Sequence, residues 1–293
     1  MPMTIVTHDG TFHADDVFAL AALLLLQPTA AVVRTRDEKI IVAADFVVDV
    51  GGIYDEAQNR FDHHQPDGAG VRPNTIPYAA FGLVWKRYGT TLALGADGAA
   101  RVDAVLVTPI DANDNGIDLC ASTNELAAPY GIADVIRAFN LTEEEEGSDA
   151  DAAFSEAAAF ARRIILRELQ RARAFAAGRR QVNESYARIE DKRVIVLDGD
   201  YSWKDILAQQ PEPLYCVHPQ NGAWRLYAVR DNPHQFKNRK DLPAEWAGLR
   251  DAELARVTGV ADAVFCHRNR FMAVARTKEG AVALAKLALK TDS

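Results

Sequence analysis

The chain has 293 residues, of which 48% are hydrophobic and 25% charged; this balance excludes fibrous and disordered classes and leaves room for two globular cores. The formal net charge of −8 is uneven: residues 181–293 hold 17 lysines and arginines against 15 acids, leaving 16 against 26 for residues 1–180. An acidic half repels a polyanionic substrate unless bound cations neutralise it.

In chain order, MTIVTH predicts a short buried strand, and Ala14 to Leu26 an apolar helix stopped by Gln27-Pro28. The longest apolar stretch, Phe18 to Leu26, falls short of the ~20 residues that span a bilayer. The opening MPMTIVTHDG lacks the cationic and apolar regions of an export signal. A soluble cytoplasmic protein with no membrane partner is expected. AAVVRTR and DFVVDV read as further strands, the second closed by Gly51-Gly52. After FDHH come a Gly/Pro-rich loop from Pro66 to Pro73, a helix through Tyr78 to Tyr88, and another from about Asp97 to Pro109. Short strands alternating with helices argue for a parallel α/β sheet, whose strand ends gather ligands.

The acidic run Glu143 to Glu146 reads as a solvated loop and helix start. A long Ala/Arg-rich helix, Asp151 to Ala177, follows and is closed by Gly178. RVIVLDGD, LYCVHP, WRLYAVR, DAVFCHR and RFMAVAR predict a small mixed sheet, and Lys278 to Leu289 a last helix. The expected organisation is a catalytic domain over 1–150, a connecting helix over 151–180 and a smaller mixed α/β substrate-binding domain over 181–293. Cys120, Cys216 and Cys266 are too scattered for a thiolate zinc site or a disulfide framework, which suits a reducing compartment.

Four of the seven histidines, His8, His13, His63 and His64, fall in the first 64 residues, each within two positions of an aspartate. Singly, each is more often a structural histidine than a ligand; the joint pattern shifts the balance. Imidazoles mixed with carboxylates, and no cysteine nearby, suit a divalent ion such as manganese.

The blocks THDGTFHADD, VVDVGGIYD, NRFDHHQ, IDANDNGI, LPAEWAGLRDAEL and TKEGAVALA stand in that order from residue 7 to residue 285. Together they resemble the DHH phosphoesterase superfamily, and within it the Myg-type (melanocyte-proliferating-gene) branch of metal-dependent exonucleases. The resemblance implies a parallel-sheet DHH domain joined by a long helix to the second domain. It also implies two divalent ions, manganese in first place and magnesium as the alternative. His8 and His13 then hold one ion, Asp15, His63 and Asp111 the other, and Asp49 bridges them. His64 contacts the scissile phosphate, with Asp62 and Asp114 as supporting residues; Asp114 reads equally as a turn residue. Single-stranded RNA or a short oligonucleotide is the implied substrate, degraded 3′ to 5′. Arg225, His267, Arg276 and Lys278 are candidate phosphate contacts, and Trp224 or Phe271 could stack on a base. The alternatives are a hydrolase of a small phosphoanhydride or cyclic dinucleotide, and a non-catalytic metal-binding scaffold.

Overall fold

A computed structural model describes residues 2–120, 127–145, 149–233 and 235–291; Glu146 of the acidic run lies outside them. The chain divides into two compact units, Met1–Arg173 and Ala174–Ser293, a break that falls within the stretch read as a connecting helix.

In the first unit, β1 (Thr4–Thr7), α1 (Ala14–Leu26), β2 (Ala31–Arg34), α2 (Glu38–Ala43) and β3 (Phe46–Val48) alternate as the sequence predicts, apart from the short α2. The two-residue strands β4 (Tyr54–Asp55) and β5 (Arg60–Phe61) complete a sheet of order β2-β1-β3-β5-β4. β1, β2, β3 and β5 run parallel, but β4 pairs antiparallel with β5, so the sheet is mixed where a purely parallel one is expected. The connection between β4 and β5 is too short for a crossover, which forces the reversal. One face of the sheet buries Ile5, Phe46, Val48 and Phe61 against α1 and α3 (Ala80–Ala93); Val6 and Val47 on the other pack near Ile41 of α2.

The chain stays helical beyond Pro109. α4 (Ala96–Val102) leads through a π-helical segment, Asp103–Val107, into α5 (Thr108–Asp114). Proline is tolerated where the π-helical segment passes into α5, because the widened turn already departs from the regular i→i−4 ladder that a proline would interrupt. α6 (Ile132–Arg137) precedes α7 (Ala150–Arg188), which also runs on past Gly178, its expected end. A mid-helix glycine costs about 1 kcal/mol relative to alanine, and packing decides against it. Phe154, Ala157, Ala161 and Ile165 fill the first core; Val182 lies in a core of the second unit.

The second unit contains β6 (Val194–Val196), α8 (Lys204–Ala208), β7 (Tyr215–Gln220), β8 (Ala223–Ala228), α9 (Asp251–Thr258), β9 (Ala263–Cys266), β10 (Met272–Ala275) and α10 (Lys278–Lys290). Its sheet, β6-β7-β8-β10-β9, is parallel only between β6 and β7. Leu226, Ala273 and Ala275 face the core that α10 closes, whereas Cys216 faces a second core with Trp203 and Leu207. Among the described residues no helix is long and apolar enough to cross a membrane.

Candidate metal centre

Three neighbouring parallel strands of the first sheet deliver His8 after β1, Asp49 after β3, and Asp62, His63 and His64 after β5. In the order β2-β1-β3 the chain steps outward from β1 in both directions, so His8 and Asp49 lie at the switch point where open α/β sheets bind ligands. Asp49 adopts φ 55°, and Gly51 and Gly52 follow at 94° and 69°. Left-handed backbone costs a non-glycine residue roughly 1–3 kcal/mol and persists where the surroundings over-determine it. Asn140 clamps the turn before α1, accepting from the Phe12 N–H and donating to the Phe12 carbonyl, each at 3.0 Å. His13 caps α1, and its N–H donates to Asp16 at 2.8 Å.

Asp49 presents each carboxylate oxygen to an imidazole. Oδ2 lies 3.4 Å from His8 Nε2, and Oδ1 lies 3.3 Å from His63 Nε2. His8 Nε2 is also 3.3 Å from Asp16 Oδ2, and His63 Nε2 is 3.1 Å from Asp114 Oδ2. Yet Asp49 Oδ1, Asp16 Oδ2 and His63 Nε2 are buried and make no hydrogen bond of acceptable geometry. Unsatisfied buried polar atoms are rare; nitrogen and oxygen atoms that converge in this way fit a shared cation. Three sets bring their ligand atoms within 4.8 Å of one another: His8, His13 and Asp49; Asp49, His63 and His64; Asp15, His63 and Asp114.

The protonation pattern points the same way. Burial opposes charge on His63, but the Asp114 and Asp49 carboxylates prevail and raise its pKa to about 11. At His8 burial again opposes, and Asp49 and Asp16 outweigh it in the upward direction. Burial raises Asp49 too, yet His63 and His8 pull it down to about 2. Asp16 is pushed up to about 7, by burial first and the charge of Asp49 after it, against the pull of His8. Burial, then the charges of Asp49 and Asp114, drives Asp15 well above the carboxylate range. Negative charge is in excess here, and protons occupy positions that a divalent ion could take instead.

The N-terminus of α3 shapes the floor. The N–H groups of Ala80 and Phe81 donate to Asp15 at 2.8 and 2.7 Å, and that of Gly82 donates to Asp111 at 3.0 Å. These are the N–H groups a helix start leaves without intrahelical partners. Arg72 Nη1 also donates to Asp111, at 2.6 Å, while Nη2 reaches Asp103 at 3.0 Å. A Cβ on Gly82 would stand 1.8 Å from Asp111 Oδ2, so this crossing admits no side chain.

The structure brings together His8, His13, Asp15, Asp49, His63 and His64, but not Asp111, the remaining residue of the expected ligand set. Asp111 belongs to none of the three sets; Arg72 and the Gly82 N–H engage its oxygens. Asp114, one helical turn on, stands beside His63 and Asp15 instead. Asp62 accepts from His64 Nδ1 at 2.7 Å and from the Gly52 N–H at 2.5 Å. His64 itself is open to solvent, with 63% of its side chain exposed. Arg72 and Arg36 were not singled out by the sequence. Arg72 is buried although it lies in the Gly/Pro-rich loop. Arg36 lines a recess of about 240 Å³ with His8, Asp49, Gly51, Asp62 and His64.

In the second unit the expected phosphate contacts divide between two sides of the sheet. Lys278 Nζ lies 5.7 Å from the Trp224 ring, on the side packed by α10. Arg225 alternates to the other face, next to His218 across the ladder. The His267 ring is 4.4 Å from Phe271, and Arg276 is exposed just after β10.

Fold and site together define a two-unit α/β protein with a cluster of histidines and aspartates of metal-ligating type. The family model MYG1_exonuc, "Uncharacterised protein family (UPF0160)", matches residues 4–289, and the chain belongs to that family. The "MYG1 exonuclease" of Homo sapiens is 31% identical over 327 residues, covering 100% of this chain and 87% of the relative. That of Mus musculus is 30% identical, covering 98% and 85%. The "MYG1 protein" of Dictyostelium discoideum is 28% identical, covering 97% and 95%.

Proposed function

We propose that the chain is a metal-dependent phosphodiester hydrolase, a 3′–5′ exonuclease acting on single-stranded RNA or short oligonucleotides. The observation that carries this reading is Asp49, whose two oxygens face histidines from different strands and which is shared between two metal-type sets. Relatives named exonucleases along nearly the whole chain support it. We assign His8 and His13 to one divalent ion, Asp15, His63 and Asp114 to a second, and Asp49 to both. This assignment exchanges Asp111 for Asp114. Manganese is the first choice for such nitrogen–oxygen donors and magnesium the alternative. Bound ions of this kind polarise a phosphoryl oxygen and acidify a water.

The chain's own residues position and neutralise. Asp62 holds the Nδ1 side of His64, so the exposed imidazole, when protonated, can donate its other N–H to a phosphoryl oxygen as charge develops there. The basic side chains of the second unit, Arg225, His267, Arg276 and Lys278, are assigned to the substrate, and the cytoplasm to the protein. A panel of RNA, DNA, dinucleotides, a cyclic dinucleotide and pyrophosphate with manganese tests the reading, with end-labelled RNA giving polarity. Release of mononucleotides from the 3′ end is expected. Turnover of pyrophosphate or the cyclic dinucleotide alone would replace the exonuclease with a small-substrate hydrolase, and no turnover would leave a scaffold.

A further inference from the structure

Four aromatic residues and one histidine of the second unit have no part in the metal centre. Trp203 precedes α8, and its ring lies 6.0 Å from that of His218. His218 stacks on Tyr227 at 5.6 Å and 16°, and Tyr227 on Phe271 at 6.2 Å and 29°. Lys204 Nζ stands 5.4 Å from the Tyr227 ring, and Arg230 Cζ is 5.7 Å from Phe271 and 5.3 Å from Phe236. Trp203, Lys204, Tyr227, Arg230, Pro233 and Phe271 line a recess of about 50 Å³.

Two further features indicate a ligand that is both aromatic and anionic. Arg239 and Arg270 nearby are engaged by Asp231 and Asp241, whereas among the described residues Lys204, Arg225 and Arg230 have no such carboxylate. Arg230 is held in place by Asn238 and the Gln235 carbonyl, so its charge is fixed before anything binds. On the same sheet face His218 Nε2 and Arg225 Nε are buried without a hydrogen-bond partner. Burial lowers the His218 pKa, and Arg225 and Lys204 add to that against Asp200. Its Nδ1 faces Asp200 and the Pro219 carbonyl, both acceptors, so the proton belongs there and Nε2 remains an unused acceptor.

We propose that this face is a nucleotide subsite: a nucleobase lies against Tyr227 and Phe271, and its phosphate meets Lys204 and Arg230. Base–aromatic stacking tolerates any base, and cations beside the rings add phosphate attraction. The choice of a nucleotide rests on the nuclease reading of the first unit. The same chemistry could come from a free mononucleotide or from a nucleotide within a chain.

The test is a titration of the full-length protein in EDTA, following tryptophan fluorescence with Trp203 as the reporter. Adenosine 5′-monophosphate should quench saturably, and adenosine and ribose 5-phosphate should each bind roughly tenfold more weakly, the scale of one lost stack or one lost phosphate contact. Lys204→Gln with Arg230→Gln should weaken the mononucleotide at least tenfold and leave adenosine unchanged. Phe271→Leu should weaken both. Should Phe271→Leu fail to fold, the charge variant decides, since both of its side chains lie at the surface of the recess. Tighter binding of a short oligoadenylate than of the mononucleotide assigns the subsite to a chain nucleotide, and equal binding to a free one; either supports it. Ribose 5-phosphate binding as tightly as the mononucleotide, no saturable quench, or an unaffected charge variant would overturn it. Asp49→Asn should bind the mononucleotide as the unmodified protein does, so loss of hydrolysis and loss of this subsite read separately.

Discussion

The two units place opposite chemistry on sheets built differently. In the first, parallel strands end together and expose buried carboxylates and imidazoles at one switch point, with negative charge in excess. In the second, an antiparallel ladder spreads rings and cations over a face rather than concentrating them at strand ends. On the proposed reading the difference is a division of labour: parallel strand ends collect ligands for a small multivalent cation, and an antiparallel ladder offers a surface for something flat and anionic. All three metal-type sets among the described residues belong to the first unit.

The comparison breaks most directly at Asp49. Asp49→Asn is expected to remove activity by roughly a thousandfold, since several kcal/mol of charge stabilisation depend on the ions that the carboxylate shares. The protein should stay folded, and metal analysis after manganese loading should show reduced content. Normal turnover in that variant would end the metal-centre reading.

A large structural effect is expected at the floor of the same site. Gly82→Ala should destabilise the protein by about 3 kcal/mol in urea unfolding, because its Cβ collides with the Asp111 carboxylate and crowds Arg72. Asp111→Asn should likewise lose stability, leaving Arg72 buried beside a weaker partner. Asp114→Asn should keep stability and lower manganese affinity about tenfold, the result that separates a ligand from a structural carboxylate. The reverse pattern would restore Asp111 as the ligand.

The pH dependence sharpens the contrast further. Asp16, raised to about 7, binds a proton in the folded state that the unfolded chain has released above about 4. Its contribution to stability is therefore lost as pH rises from 4 to 7. Asp49, lowered to about 2, acts in the opposite sense, its stability contribution being lost only as pH falls below 4 toward 2. The His63 contribution is lost as pH rises from about 6.5 to about 11. Manganese must displace these protons, so its affinity should fall at least tenfold between pH 8 and pH 6, with proton release visible by calorimetry in buffers of different ionisation enthalpy. The smallest effect belongs to the second unit: Arg276→Ala or Lys278→Ala should raise KM for longer oligonucleotides a few-fold and flatten the salt dependence by ~0.7 in log–log slope.

Much of this was legible in the sequence, and the omissions have physical causes. Strand ends carrying His8, Asp49 and His63 could be read because β-branched runs stop at Asp and His. The alternation of strands and helices also gave the α/β class. Asp111 reads as a ligand and Asp114 as a supporting or turn residue in the sequence; the two lie one turn apart on α5, and what sets their surroundings apart, Arg72 and Gly82 against Asp111, stands 39 and 29 residues upstream of it, beyond the reach of any local pattern. Arg72 was hidden because a cation in a Gly/Pro-rich segment ordinarily lies in solvent, and only its distant acids bury it. The continuation of α7 beyond Gly178 depends on Val182 finding a core, which local propensity does not report. Of the recess beside Tyr227 only Phe271 is singled out by the sequence, because the residues come from three separate segments, each ordinary by itself.

The tie between α3 and the two carboxylates also makes the helix a gauge of the site. The amide protons of Ala80, Phe81 and Gly82 belong to a first turn, where exchange with solvent is ordinarily fast for want of acceptors. Here they are sequestered by Asp15 and Asp111. Their exchange rates then follow how firmly those carboxylates are held. Deuterium uptake over residues 80–82 becomes a readout of metal loading that requires no substrate and no turnover.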